Sequence, residues 1–136
     1  MISEKFKVMI AKNNIFNIRI GASWKGMTGA RKGFVEFESE EYALRAWMIL
    51  MRTYRRKYGL KTIQSIVRRF APESENNTEQ YIRFVSMHSM IGRDMELWSM
   101  DDYRKLAMAM ARMETGTILS AMLWNHVVEK YQIQIV

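Results

Sequence analysis

Asn13-Asn14-Ile15-Phe16-Asn17-Ile18-Arg19 is the stretch on which the fold turns. Three asparagines, poor strand formers, interrupt Ile15, Phe16 and Ile18, which favour strands. Downstream, Ile20, Val35 and Phe37 continue the β-branched and aromatic character, while Gly21, Gly26, Gly29 and Gly33 punctuate it. The pattern predicts a small β-hairpin lobe over residues 13–38, with a loop at about residues 25–32. The asparagines either fix the turn through side-chain to backbone bonds or offer their amides to a ligand.

The flanks read as helix. Ser3 is placed to cap a short helix with Phe6, Met9 and Ile10 on one face. Ser39 opens a long helix with Glu40 and Glu41 in its first turn, where acids complement the dipole. Ala43, Ala46, Trp47, Leu50, Met51 and Tyr54 follow at helical spacing, and Gly59 stops it. Thr62 starts a short helix bearing Ile63, Ile66, Val67 and Phe70, with Pro72 just beyond. A further helix begins near Thr78, its inner stripe Tyr81, Phe84 and Val85. Ser99 with Asp102 forms a variant capping box for a helix with Tyr103, Leu106, Ala107, Met110 and Met113 on one face. The last helix runs from about Thr117 to Tyr131. The expected class is α+β, mainly α with a small β-lobe, in one domain spanning residues 1–136.

Composition narrows the chemistry. The chain has no cysteine, which excludes thiolate nucleophiles and cysteine-ligated metals. His88 and His126 stand far apart without motifs, and the glycines fit no phosphate loop, so neither a metal nor a cofactor is expected. No apolar run approaches the roughly 20 residues of a membrane span. The N-terminus lacks the apolar core of a signal peptide, which predicts cytoplasmic synthesis. The net charge of +7, with Arg52, Arg55, Arg56, Lys57, Lys61, Arg68 and Arg69 in the middle third, suits a polyanion such as nucleic acid or the acidic cell wall. A solvated basic face is the alternative. The thirteen methionines fall at helical spacing and read as adaptable core.

One acidic residue stands apart. Met110-Ala111-Arg112-Met113-Glu114-Thr115-Gly116 ends a periodic helix with a carboxylate on its apolar side. Such a carboxyl is either a surface residue before a glycine cap or a group desolvated enough to act as a general acid.

Two resemblances bear on that choice. Residues 13–19, Ser23-Trp24-Lys25-Gly26 and Phe34-Val35-Glu36-Phe37-Glu38-Ser39 are similar to the "NNLFGIK … WKG … F-x-x-F/Y-x-S" run of bacterial β-N-acetylglucosaminidases that cut peptidoglycan. Continued through Glu41-Tyr42-Ala43-Leu44-Arg45-Ala46, Arg69-Phe70-Ala71-Pro72, Glu75-Asn76-Asn77-Thr78 and Tyr81, the stretch resembles a phage and prophage "NNPGNIR" family usually labelled virion structural proteins. Phe70 replaces that family's usual Trp, and Ile15-Phe16 its Pro-Gly. The glucosaminidases carry their catalytic Glu on a helix before the asparagine run, where this chain offers only Glu4. Met110–Gly116 instead resembles the "E-S/T-G" helix end of lysozyme-like enzymes and lytic transglycosylases. The resemblance implies a lysozyme-like fold, circularly permuted, whose first and last helices meet.

The function so implied is cleavage of peptidoglycan glycan strands by a glucosaminidase, muramidase or lytic transglycosylase. Glu114 is the expected acid, Glu36 or Glu38 the candidate second carboxylate, and Tyr81 a cleft-lining partner. Lytic transglycosylases need no second carboxylate, since the substrate's own hydroxyl closes an anhydro ring. Candidate substrate contacts are Asn13, Asn14, Asn17, Arg19, Trp24, Tyr54, Asn76 and Thr78. Trp24 and Tyr54 offer faces for sugar stacking, although a helical aromatic is more often core, and Thr78 reads first as a helix cap. Expected partners are peptidoglycan and other phage virion proteins, with no specific nucleic acid. The protein would reach the wall by lysis, on a particle or through a secretion device. The alternative is a non-catalytic virion or wall-binding protein.

Overall fold

The computed structural model describes residues 8–74 and 76–136. Among them, two short strands, β1 (Met27–Arg31) and β2 (Phe34–Phe37), precede five helices: α1 (Glu40–Tyr58), α2 (Ile63–Phe70), α3 (Thr78–Ser89), α4 (Met100–Thr115) and α5 (Ala121–Tyr131). The protein is mainly helical with one two-stranded antiparallel sheet.

The β-lobe differs in detail from the expectation. Its turn is Lys32-Gly33, with φ of 51° and 86°, and positive φ at both central residues matches the twist of the flanking strands. β1 therefore occupies most of the expected loop, pairing Arg31 with Phe34, Ala30 with Val35 and Gly29 with Glu36. Gly29 fits because a Cβ there would lie 2.8 Å from Glu36 Oε1. Gly26, at φ 78°, sits against the Tyr42 ring where any Cβ would collide.

The asparagine run is not a strand. Asn13 adopts φ 61°, and its Nδ2 donates to the carbonyls of Phe37 and Glu38 at 2.9 and 3.0 Å. Asn14, fully buried, donates from Nδ2 to Ile18 O at 2.9 Å and Val35 O at 2.8 Å, and its Oδ1 accepts from Ile18 N at 2.9 Å. One side chain thus closes a turn and joins it to β2. Ile15 and Phe16 consequently point into the core, where Phe16 stacks on Trp47 with ring centroids 5.3 Å apart.

The helices follow the local signals closely. α1 buries Ala43, Trp47, Met51 and Tyr54, and ends at Gly59 in the left-handed region with φ 67°. Thr62 and Ser65 form a reciprocal capping box on α2, as Ser99 and Asp102 do on α4. α3 is capped by Asn77, whose side chain accepts from Gln80 N. Thr78 is one residue inside the helix and donates instead to Ala71 O at 2.6 Å. The last helix starts at Ala121 rather than Thr117, because Ser120 caps it. Met9 and Ile10 are not helical, while Ser3, Glu4 and Phe6 lie outside the described residues. The methionine expectation holds in part. Met48, Met51 and Met110 are core, whereas Met87, Met90, Met95 and Met122 are exposed.

α5 is tied to α1 through Glu41. Its carboxylate meets His126 Nε2 and Lys130 Nζ at 2.8 Å and accepts from the Tyr131 hydroxyl at 2.5 Å. The Lys130 and Tyr131 hydrogen bonds are the main causes that hold the Glu41 carboxyl at about 2, against an ordinary 4.5. A carboxyl lowered on folding contributes stability that is complete above its unfolded value and fades as pH falls from about 4.5 to about 2. Glu41→Gln should therefore lower the melting temperature at neutral pH and flatten its slope across that window, as a pH series of thermal melts will show.

Candidate active site

Glu114 owes its position to where α4 ends. Gly116 takes the left-handed conformation at φ 71°, and its N–H bonds to Arg112 O. The final turn thereby keeps Glu114 on the inner face with Met110 and Met113, and Glu114 is only 1% exposed. Its contacts reach the other end of the sequence. Asn17 Nδ2 donates to Glu114 Oε1 and to Glu114 O, each at 3.3 Å, and to Val8 O at 3.2 Å. Next door, the Thr115 hydroxyl donates to Ile15 O at 2.8 Å. Asn17 itself sits at φ 50°, which an asparagine tolerates better than most residues, so the turn that Asn14 builds delivers its amide to the carboxyl.

Glu114 lines a cavity of about 290 Å³ between the β-lobe and the helices. Asn17, Arg19, Trp24 and Phe34 face it from the β-lobe side, and Leu50, Tyr54, Arg69, Phe70 and Asn76 from the helical side. Arg19 also lies over the Phe34 ring, 5.0 Å from its centroid. Behind the cavity, Tyr81 is buried and next to Glu114. Burial first, then the Glu114 charge and a hydrogen-bonding interaction with it, push the phenol well above its ordinary 10. That interaction is loose, since the hydroxyl meets no partner at full hydrogen-bonding geometry among the described residues. Tyr54 is pushed up to about 12 by burial, which the neighbouring Arg69 charge partly offsets. Both phenols therefore stay neutral.

Five of the eight expected substrate contacts line this cavity: Asn17, Arg19, Trp24, Tyr54 and Asn76. Asn13, Asn14 and Thr78 do not, because their polar atoms are spent on backbone carbonyls and, for Asn14, one backbone N–H. Glu36 and Glu38 are likewise absent from its walls. On β2, Val35 and Phe37 are the buried positions, so the strand's alternation turns Glu36 outward over Gly29. Glu38 is exposed beyond the strand end. Glu114 is the one carboxylate lining the cavity among the described residues.

The amino-acid sequence did not mark Leu50 and Phe34 as cavity walls, and it marked Arg69 as a member of the basic cluster and Phe70 as a helix-face residue, both also within a motif. The Arg69-Phe70-Ala71-Pro72 match was the signal for the latter pair. Three members of the basic cluster of the middle third have partners within the protein. Arg55 donates to Leu97 O at 2.8 Å and Arg56 to Gln134 O at 2.9 Å, while Arg68 pairs with Glu73 at 3.0 Å. Among the described residues no helix is long and apolar enough to cross a membrane.

No family model matches the chain. Over 114 residues, covering 79% of this chain and 71% of the relative, it is 38% identical to Protein P5 of Pseudoalteromonas phage PM2.

Proposed function

We propose, from the premise that the chain belongs to the phage family of Protein P5 of Pseudoalteromonas phage PM2, that it cleaves the glycan strands of peptidoglycan with Glu114 as general acid. The observation that carries this reading is a buried carboxyl, held by Asn17 at the wall of a cavity lined with aromatic and amide side chains. A carboxyl withdrawn from water at the negative end of a helix is favoured in its proton-bearing form. Donation to a leaving glycosidic oxygen requires that form. Trp24 and Phe70 suit sugar rings, whose apolar faces stack on aromatics while their hydroxyls and amides hydrogen-bond beside them.

The lysozyme-like, circularly permuted relation is part of the same proposal. It is supported by the bonds from Asn17 to Glu114 and from Thr115 to Ile15, which join in space two segments that stand close in sequence in the glucosaminidases. With the termini in mind, residues 1–7 lie outside the described part of the chain, so the expected meeting of its two ends does too.

The reaction we infer is intramolecular. No second carboxylate lines the cavity among the described residues, so the arrangement favours attack by the substrate's own hydroxyl, giving an anhydro product, over the two-carboxylate routes. The protein would act on the wall after lysis, on a particle or through a secretion device, with other virion proteins as partners. Incubation of purified wall with the protein, followed by mass analysis of soluble products, is the test. Fragments with anhydro ends are expected. Hydrolysed ends would overturn the intramolecular step, and wall binding without release would leave a non-catalytic virion or wall-binding protein.

A further inference from the structure

Arg69 is held against aromatic rings on the helical side of the cavity. It follows the inward-facing Ile66 and Val67 near the end of α2, and its guanidinium lies over two aromatic rings, 3.9 Å from the Tyr58 centroid and 5.6 Å from that of Tyr54. Arg68, one residue earlier, is engaged by Glu73 and Glu79. Arg69 joins no ion pair among the described residues, yet it lines the same cavity as Glu114. A guanidinium resting over aromatic rings can meet them through its face and keep its N–H edge for a second partner. A fork held flat in advance loses less freedom on binding and matches a planar carboxylate through two parallel hydrogen bonds. The buried Tyr54 phenol beneath it stays neutral and does not compete for the charge.

We propose that Arg69 receives a carboxylate of the bound strand, so that the cavity takes acid-bearing sugar units in preference to neutral ones. This rests on the reading of the cavity as a glycan-strand site.

The test uses binding, which does not depend on turnover. The probe is peptidoglycan glycan strands freed of phosphate-containing polymer, either with their carboxylates intact or with the same carboxylates amidated. Calorimetry is run on Glu114→Gln, which leaves the strands uncut, and on that variant combined with Arg69→Gln, Arg69→Lys or the control Lys32→Gln at the exposed hairpin turn. Intact strands should bind about tenfold or more tightly than amidated ones, the ratio expected for a charge-assisted pair. Arg69→Gln should erase that ratio, Arg69→Lys should retain only part of it, and Lys32→Gln should keep it whole. Thermal melts establish that each variant is folded. Equal binding of the two probes, binding of neither, a ratio that survives Arg69→Gln, or one that Lys32→Gln also removes would overturn the proposal. Discrimination by a protein that releases nothing from the wall would support the carboxylate site while overturning the enzymatic reading.

Discussion

Glu114→Gln should lower the release of soluble fragments from purified wall by about 10²- to 10⁴-fold, the usual contribution of a positioned general acid. The fold should survive. Glutamine has nearly the same shape, and its Oε1 can still accept from Asn17 Nδ2, as Glu114 Oε1 does at 3.3 Å. What disappears is the transferable proton. A neutral amide is also cheaper to keep at a site only 1% exposed than a charge would be, so the melting temperature should stay level or rise. Circular dichroism and a thermal melt alongside the release assay separate the two effects. Unchanged release would reduce Glu114 to a buried residue ahead of a glycine cap, and the proposed chemistry would fall with it.

Asn14→Ala should cost about 2–4 kcal/mol of stability, because three buried hydrogen bonds disappear together and the Ile18 N–H loses its Asn14 acceptor. Asn14→Asp is the sharper variant. It keeps the acceptor for Ile18 N but replaces the donor with an oxygen facing the carbonyls of Ile18 and Val35. Chemical denaturation should show both variants strongly destabilised. A direct sugar-binding role would predict the opposite, a stable protein with weakened substrate affinity. Arg19 of the cavity follows immediately on Ile18, so partial collapse of this turn should also disturb the site.

Local chemistry made most of the helical frame legible. The capping boxes at Thr62 and Ser99, the stops at Gly59 and Gly116, and the spacing of Ala43, Trp47, Met51 and Tyr54 all act within a few residues of themselves. The β-lobe was harder to read. Its composition was plain, but Lys32-Gly33 was not recognisable as its turn, and the strand propensities of Ile15 and Phe16 misrepresented a segment that Asn13 and Asn14 bend. Those asparagines act on carbonyls more than twenty residues away, which no local pattern encodes. The sequence pointed to Thr78 as the cap of its helix, but Asn77 holds that position and Ala71 O claims the Thr78 hydroxyl.

The site divides along the same line. Glu114, Tyr81 and Asn17 were nameable from motif and spacing. The second carboxylate was not decidable, because strand alternation settles which way Glu36 points only once Val35 and Phe37 are seated in the core. Arg69 looked like one cation among several until Tyr54 and Tyr58 were found beneath it. By itself the amino-acid sequence determined the helical frame, the existence of a small β-lobe and a carboxylate at a helix end, because propensity, capping and periodicity are short-range effects. Only the tertiary structure decided that this carboxylate meets Asn17 and that Arg69 shares its cavity. The physical reason is packing: Asn17 and Glu114 become neighbours once the buried faces of α1, α4 and the β-lobe close on one core.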